Sequence, residues 1–167
     1  MGAGKSKIGP VLASKFACPF HDADKIIEQE AGKNINDIFQ QKGEAHFRQL
    51  ESQMIERLAS GKVKSVIALG GGALISGKNR SLAENSGTVV YLKSSPQSIL
   101  NRVKDSKKRP LLNIPRDQHF EQNLLKMIEE MLDKRKEIYE SAHLIFERDD
   151  YEFDDAAEMI YQKIIKL

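Results

Sequence analysis

The sequence predicts an α/β protein, a parallel sheet covered by helices on both faces. Three observations carry that prediction. Two short apolar runs, Lys64 to Leu69 and Thr88 to Leu92, read as buried parallel strands. Segments of helical spacing lie between and around them, and alternating strands and helices close into a parallel sheet. A glycine-rich turn, Gly2-Ala3-Gly4, leads straight into a helix, an arrangement that offers backbone N–H groups to an anion.

The elements follow in order. Lys5 to Lys15 has helical spacing, with Ile8, Leu12 and Phe16 on one face. Ala17 to Asp22 is a short apolar run that delivers an acid at its carboxyl end. Helices are expected over Asp24 to Ala31, stopped by Gly32, and over Ile35 to Gln41, stopped by Gly43. A longer amphipathic helix runs from Glu44 to Ala59. After the strand that ends at Leu69 come Gly70-Gly71-Gly72, then a helix from about Gly77 to Glu84 and the second strand. Pro96 opens the helix bearing Ile99, Leu100 and Val103. The polar stretch 104–116 shows no periodicity and is expected to be a mobile loop. One long helix over Gln118 to Tyr139, a strand over His143 to Phe146 and a helix over Phe153 to Ile165 complete the chain.

Composition narrows the class. The 167 residues, 40% hydrophobic and 30% charged, describe one soluble globular domain. A net charge of +2 is too small for a nucleic-acid surface. The local cluster Lys104, Lys107, Lys108 and Arg109 suits a small polyanion instead. Cys18 is the single cysteine, so no internal disulfide forms, which fits a reducing cytoplasm. Its apolar neighbours predict a buried, inert thiol. No apolar run approaches the length of a membrane span, and no secretory signal is visible, so a cytoplasmic protein without a membrane partner is expected.

In a parallel sheet, ligands bind beyond the carboxyl ends of the strands, and the candidate residues fall there. Gly2-Ala3-Gly4-Lys5-Ser6 matches the second half of a phosphate-binding loop: Lys5 would reach the β- and γ-phosphates and the Ser6 hydroxyl would bind Mg²⁺. The first glycine of that motif, and the strand expected to carry it, do not precede Met1. Asp22 and Asp24 leave a strand on alternate residues, as metal-holding and proton-accepting carboxylates would, although Asp24 could equally cap a helix. Arg48 lies between Glu44 and Glu51 at helical spacing, which serves either solvated pairing or a guanidinium held to receive an acidic substrate. Three consecutive glycines at 70–72 imply that something approaches the backbone closely. Arg109 sits in the polar loop, with Arg102 at a helix end. His46 and Arg135 read as surface residues.

Taken together, these pieces resemble shikimate kinase. The matching text is Met1-Gly2-Ala3-Gly4-Lys5-Ser6, Phe20-His21-Asp22-Ala23-Asp24 with Ile27-Glu28 and Gly32, and Ile38-Phe39. It continues with Gly43-Glu44, Phe47-Arg48 and Glu51, Gly70-Gly71-Gly72, Arg109-Pro110-Leu111-Leu112, and Arg135 with Tyr139. The order and approximate spacing hold across nearly the whole chain. The resemblance implies a three-layer fold of the P-loop nucleoside-monophosphate-kinase type, here without its first, central strand. It implies that the natural chain begins a strand's length upstream of Met1.

The implied activity is transfer of the γ-phosphoryl of ATP to the 3-hydroxyl of shikimate, with ATP and Mg²⁺ required, by a monomer. By matched position, Lys5, Asp24 and Arg109 would be catalytic. Asp24, Arg48, Glu51, Gly70, Gly71, Gly72 and Arg135 would bind shikimate. Gly2, Ala3, Gly4, Lys5, Ser6, Arg102 and Arg109 would bind the nucleotide, and Ser6 with Asp22 would hold the metal. Lys7 departs from the threonine usual after the metal ligand. Two alternatives stay open: a related kinase such as one for gluconate, and a kinase-like binding module that does not turn over ATP.

Overall fold

The computed structural model describes residues 2–105 and 115–167. Among the described residues it contains eight α-helices and four short strands, arranged as alternating units. The chain opens with helix α1 (Lys5–Lys15), which starts at Gly4 in the left-handed region, φ 88°. Strand β1 (Phe20–Asp22) follows, and Asp22 caps helix α2 (Ala23–Ala31) by accepting from the Lys25 N–H. The cap is therefore Asp22 and not Asp24, which lies in the first turn of α2.

Asn34 accepts from the Asp37 N–H at 2.9 Å and opens α3 (Ile35–Ala59). The break expected at Gly43 is present as a kink, φ 78° and ψ 170°, inside one continuous stretch. Strand β2 (Val66–Ala68) leads into the glycine turn and a short 3₁₀ segment, Ala73–Ile75. Next come α4 (Gly77–Ser86), β3 (Val90–Lys93) and α5 (Pro96–Val103), the last capped by Ser95 with proline in its first turn.

The single long helix expected over Gln118 to Tyr139 is in fact two, α6 (Phe120–Asp133) and α7 (Lys136–Glu140). Arg135 separates them with φ −115° and ψ 1°, outside helical values, and the break turns its side chain inward. Strand β4 (Leu144–Glu147) and helix α8 (Phe153–Ile164) finish the fold.

Both strand pairings among the described residues are parallel. β1 pairs with β2, Phe20 opposite Val66 and Asp22 opposite Ala68, and β3 pairs with β4, Val90 opposite Leu144. A cleft of about 590 Å³, lined by Val66 and Ile67 on one side and Val90 and Leu92 on the other, lies between the pairs. For that reason the apolar strands, expected to be buried, are mostly half-buried. Cys18 is likewise half-buried, because it ends the tight turn after α1.

Helix α1 bridges the two pairs: Ile8 and Leu12 pack in one cluster with Val66, Val90, Phe146 and Ile160 of α8. A second cluster joins α2 to α3 through Ile27, Ile38, Phe47 and Met54, and a third joins α5 to α6 through Ile99, Leu100, Leu124 and Ile128. Burying each such side chain contributes about 1.5–3 kcal/mol. The carboxyl ends of β1 and β2 and the start of α1 thereby open on one cavity.

Candidate functional site

That cavity measures about 510 Å³, within the range of small-molecule sites, and has two chemically distinct ends. At the first, Gly2, Ala3 and Gly4 wrap the N-terminus of α1, where the backbone N–H direction and the helix dipole favour an anion. Gly4 also has no room for a side chain, since a Cβ there would stand 2.9 Å from the Phe153 ring. Lys5 and Ser6 line the cavity from the first turn. The Ser6 hydroxyl donates to Asp22 Oδ2 at 2.6 Å, so helix start and strand end meet through an oxygen pair.

Arg102 approaches the same end from α5. Its Nη1 donates to Ser94 Oγ at 3.0 Å and its Nη2 to Asp149 Oδ1 at 3.0 Å. Burial alone would raise the Asp149 carboxyl, but the Ser95 backbone N–H and the hydroxyls of Ser95, Ser98 and Ser94 outweigh it. They hold that carboxyl well below the usual range, so Asp149 is a fixed anion anchoring Arg102.

The second end is built around Arg48. Its Nη1 donates to Glu51 Oε2 at 2.8 Å, while Nε and Nη2 both donate to Glu44 Oε1, at 3.2 and 3.0 Å. Glu51 is only 1% exposed, and burial pushes its carboxyl up despite the opposing pull of Arg48. Burial would in turn lower the Arg48 guanidinium, yet Glu51 and Glu44 hold it above its ordinary value. Arg48 is therefore a permanent cation whose fork is fixed from two sides, with part of its surface turned to the cavity.

The glycine run explains itself against these side chains. A Cβ on Gly70 would lie 2.8 Å from Glu51 Oε1 and 3.0 Å from Asp24 Oδ1, and one on Gly72 would lie 2.6 Å from Arg48 Nη2. What approaches the backbone is the charged wall of the site. Gly71 lies between, its carbonyl accepting from Arg135 Nη1 at 3.2 Å and Tyr139 Oη at 2.5 Å.

A glycine-wrapped helix start, an adjacent acid pair and a fixed guanidinium thus share one cavity. The family model described as shikimate kinase matches residues 1–166. The chain belongs to the shikimate kinase family. A shikimate kinase of Chlorobaculum parvum is 40% identical over 164 residues, covering 98% of this chain and 87% of the relative. The structure described as shikimate kinase from Acinetobacter baumannii in complex with shikimate superposes with a TM-score of 0.87 at 34% identity, covering 99% of this chain and 89% of that one. A shikimate kinase structure from Bacteroides thetaiotaomicron gives the same TM-score at 31% identity, covering 100% of this chain and 94% of that one.

In this shikimate kinase family member, the cavity gathers Gly2 to Ser6, Asp22, Asp24, Arg48, Glu51, Gly70 to Gly72, Arg102 and Arg135. Arg109 lies outside the described residues. Arg135, which reads as surface from its charged neighbours, is half-buried and lines the cavity, because the break between α6 and α7 redirects it. His46 is half-buried on α3 and is not among the cavity residues. Sequence reasoning missed Asp149 and Phe153. The Asp149-Asp150 pair, one residue beyond the last strand, was a visible signal; Phe153 gave none, since its role depends on α8 packing against Gly4.

Proposed function

We propose that this protein transfers the γ-phosphoryl group of ATP to the 3-hydroxyl of shikimate, giving shikimate 3-phosphate. The single observation that carries the reading is the Arg48 guanidinium, fixed by a buried Glu51 in the same cavity as the phosphate-binding helix start. A cation so constrained recognises a carboxylate bidentately, and shikimate brings one. Family membership supplies the acceptor class.

The nucleotide phosphates rest on the N–H groups of Gly2 to Ser6, with Lys5 reaching the transferring group and Arg102 near the base. Arg48 and Arg135 take the substrate carboxylate, and the 70–72 backbone offers further donors. Asp24, beside Glu51 at Gly70, holds the 3-hydroxyl and accepts its proton as the oxygen attacks the γ-phosphorus. The bond to the β-phosphate oxygen breaks and ADP leaves. Arg109 belongs to this reading by sequence match, as a further positive charge on the phosphates.

Ser6 and Asp22 fit a Mg²⁺ ion. Their hydroxyl and carboxylate oxygens are 2.6 Å apart, and this ion takes few protein oxygens alongside phosphate and water. When bound, the ion neutralises phosphate charge. The same reading has the protein act in the cytoplasm as a monomer, without nucleic-acid or membrane partners. Among the described residues no helix is long and apolar enough to cross a membrane.

The test is ADP release by the purified protein with ATP and Mg²⁺, comparing shikimate with gluconate. Shikimate-dependent turnover is expected. Comparable turnover of gluconate, or shikimate binding with no phosphate transfer, would defeat the proposal.

A further inference from the structure

The carbonyl of Gly71 is the middle acceptor of the glycine turn, and two donors one helical turn apart converge on it. Tyr139 Oη is the closer at 2.5 Å, and Arg135 Nη1 stands at 3.2 Å. The two are linked through the backbone as well, the Tyr139 N–H donating to the Arg135 carbonyl at 2.9 Å. Across the fold, the Tyr139 ring packs against Tyr91 of β3, with centroids 4.8 Å apart and a 32° tilt. Tyr91 is pushed up to about 12, first by burial and then by Tyr139, Glu140 and Glu147, so it remains a neutral packing surface at working pH.

We propose that Tyr139 is a positioning residue for the carboxylate end of the site. It holds the Gly71 carbonyl, which frees the remaining donors of Arg135 for the substrate carboxylate. The inference rests on the reading of shikimate as substrate. A guanidinium carries five N–H donors in a fixed fork, and a carbonyl oxygen has two lone pairs. With Tyr139 on one lone pair, Gly71 needs only one donor from Arg135. The ring contact with Tyr91 is independent of the hydroxyl and holds the side chain against β3. Tyr139 thus ties the turn after β2 to the β3 half of the fold.

Tyr139→Phe removes the donor and keeps the ring. Gly71 is then left with Arg135 alone, which is drawn onto the carbonyl and away from the substrate. We expect KM for shikimate to rise about threefold to tenfold, the equivalent of one ordinary hydrogen bond. We expect kcat, KM for ATP and the melting temperature to change little. In an Arg135→Leu background the same substitution should no longer affect KM for shikimate, since its effect passes through Arg135. An unchanged KM in Tyr139→Phe overturns the proposal, as does an equal effect in both backgrounds. A variant that fails to fold assigns Tyr139 to stability and overturns it too. Wild-type protein that does not turn over shikimate defeats the substrate reading and this inference together, whereas normal wild-type turnover with an unaffected variant defeats this inference alone.

Discussion

Gly72→Ala isolates the geometry of the Arg48 clamp. At φ −106° and ψ −4°, Gly72 has a backbone conformation open to alanine, so the substitution carries no backbone strain of its own. Its whole effect is steric. The new methyl would stand 2.6 Å from Arg48 Nη2, 2.7 Å from Nη1 and 2.8 Å from Cζ, against an ordinary contact of 3.4 Å or more. The guanidinium must therefore retreat by about 0.8 Å, the difference between those contacts. It cannot do so freely, because Glu51 holds it at 2.8 Å and Glu44 at 3.0 Å. The retreat breaks or stretches the Glu51 bond, and a hydrogen bond to a charged group contributes about 1.5–3 kcal/mol. That converts to roughly a 10- to 150-fold loss in kcat/KM for shikimate. KM for ATP should hold, since the proposed nucleotide end lies elsewhere in the cavity. The buried Glu51 carboxylate also loses part of its partner, so melting should fall slightly. Gly77→Ala, whose Cβ meets nothing within 4 Å, serves as the control with unchanged kinetics. The assay is coupled ADP release at varied shikimate. A Gly72→Ala enzyme within twofold of wild type would refute the claim that Arg48 is held where it must be.

Asp24→Asn keeps shape and removes the proposed proton acceptor. Steady-state rates should show kcat down by about 10²–10⁴-fold with the melting temperature nearly unchanged, and a loss below tenfold would remove Asp24 from the base role. Asp149→Asn reports on the Arg102 anchor through acid stability. The folded Asp149 carboxyl is depressed below its unfolded value, so its contribution is complete above about pH 4 and fades as pH falls through the range below. Wild type should therefore melt higher than the variant at pH 6, with the gap narrowing at pH 3; an equal gap at both would be contrary evidence.

Much of this protein was legible in one dimension. Helix boundaries announced themselves through local chemistry: Pro96 opens a helix because its fixed φ suits the first turn, and Gly32 ends one because φ 61° suits glycine. The glycine turn was equally local, since Gly4, Lys5 and Ser6 stand within one helical turn. The acid pair, the glycine run and Arg48 could be read as candidates. The family resemblance read them together, but which of them touch needed distances between residues far apart in the chain.

Only the tertiary structure decided which residues meet. Gly72 must be glycine because Arg48, 24 positions earlier, presses on it, a fact invisible to any local pattern. Asp22 rather than Asp24 caps α2, because helix entry depends on backbone angles that alternate acids do not reveal. Arg135 turned inward because the chain breaks between α6 and α7, where continuous helical periodicity predicted no break. Asp149 and Phe153 joined the site through the packing of the last strand and helix. Sequence determined the elements and the chemistry on offer, because propensity, capping and phosphate-loop chemistry act over a few residues. Structure decided the assembly, because packing acts between residues that the chain keeps apart.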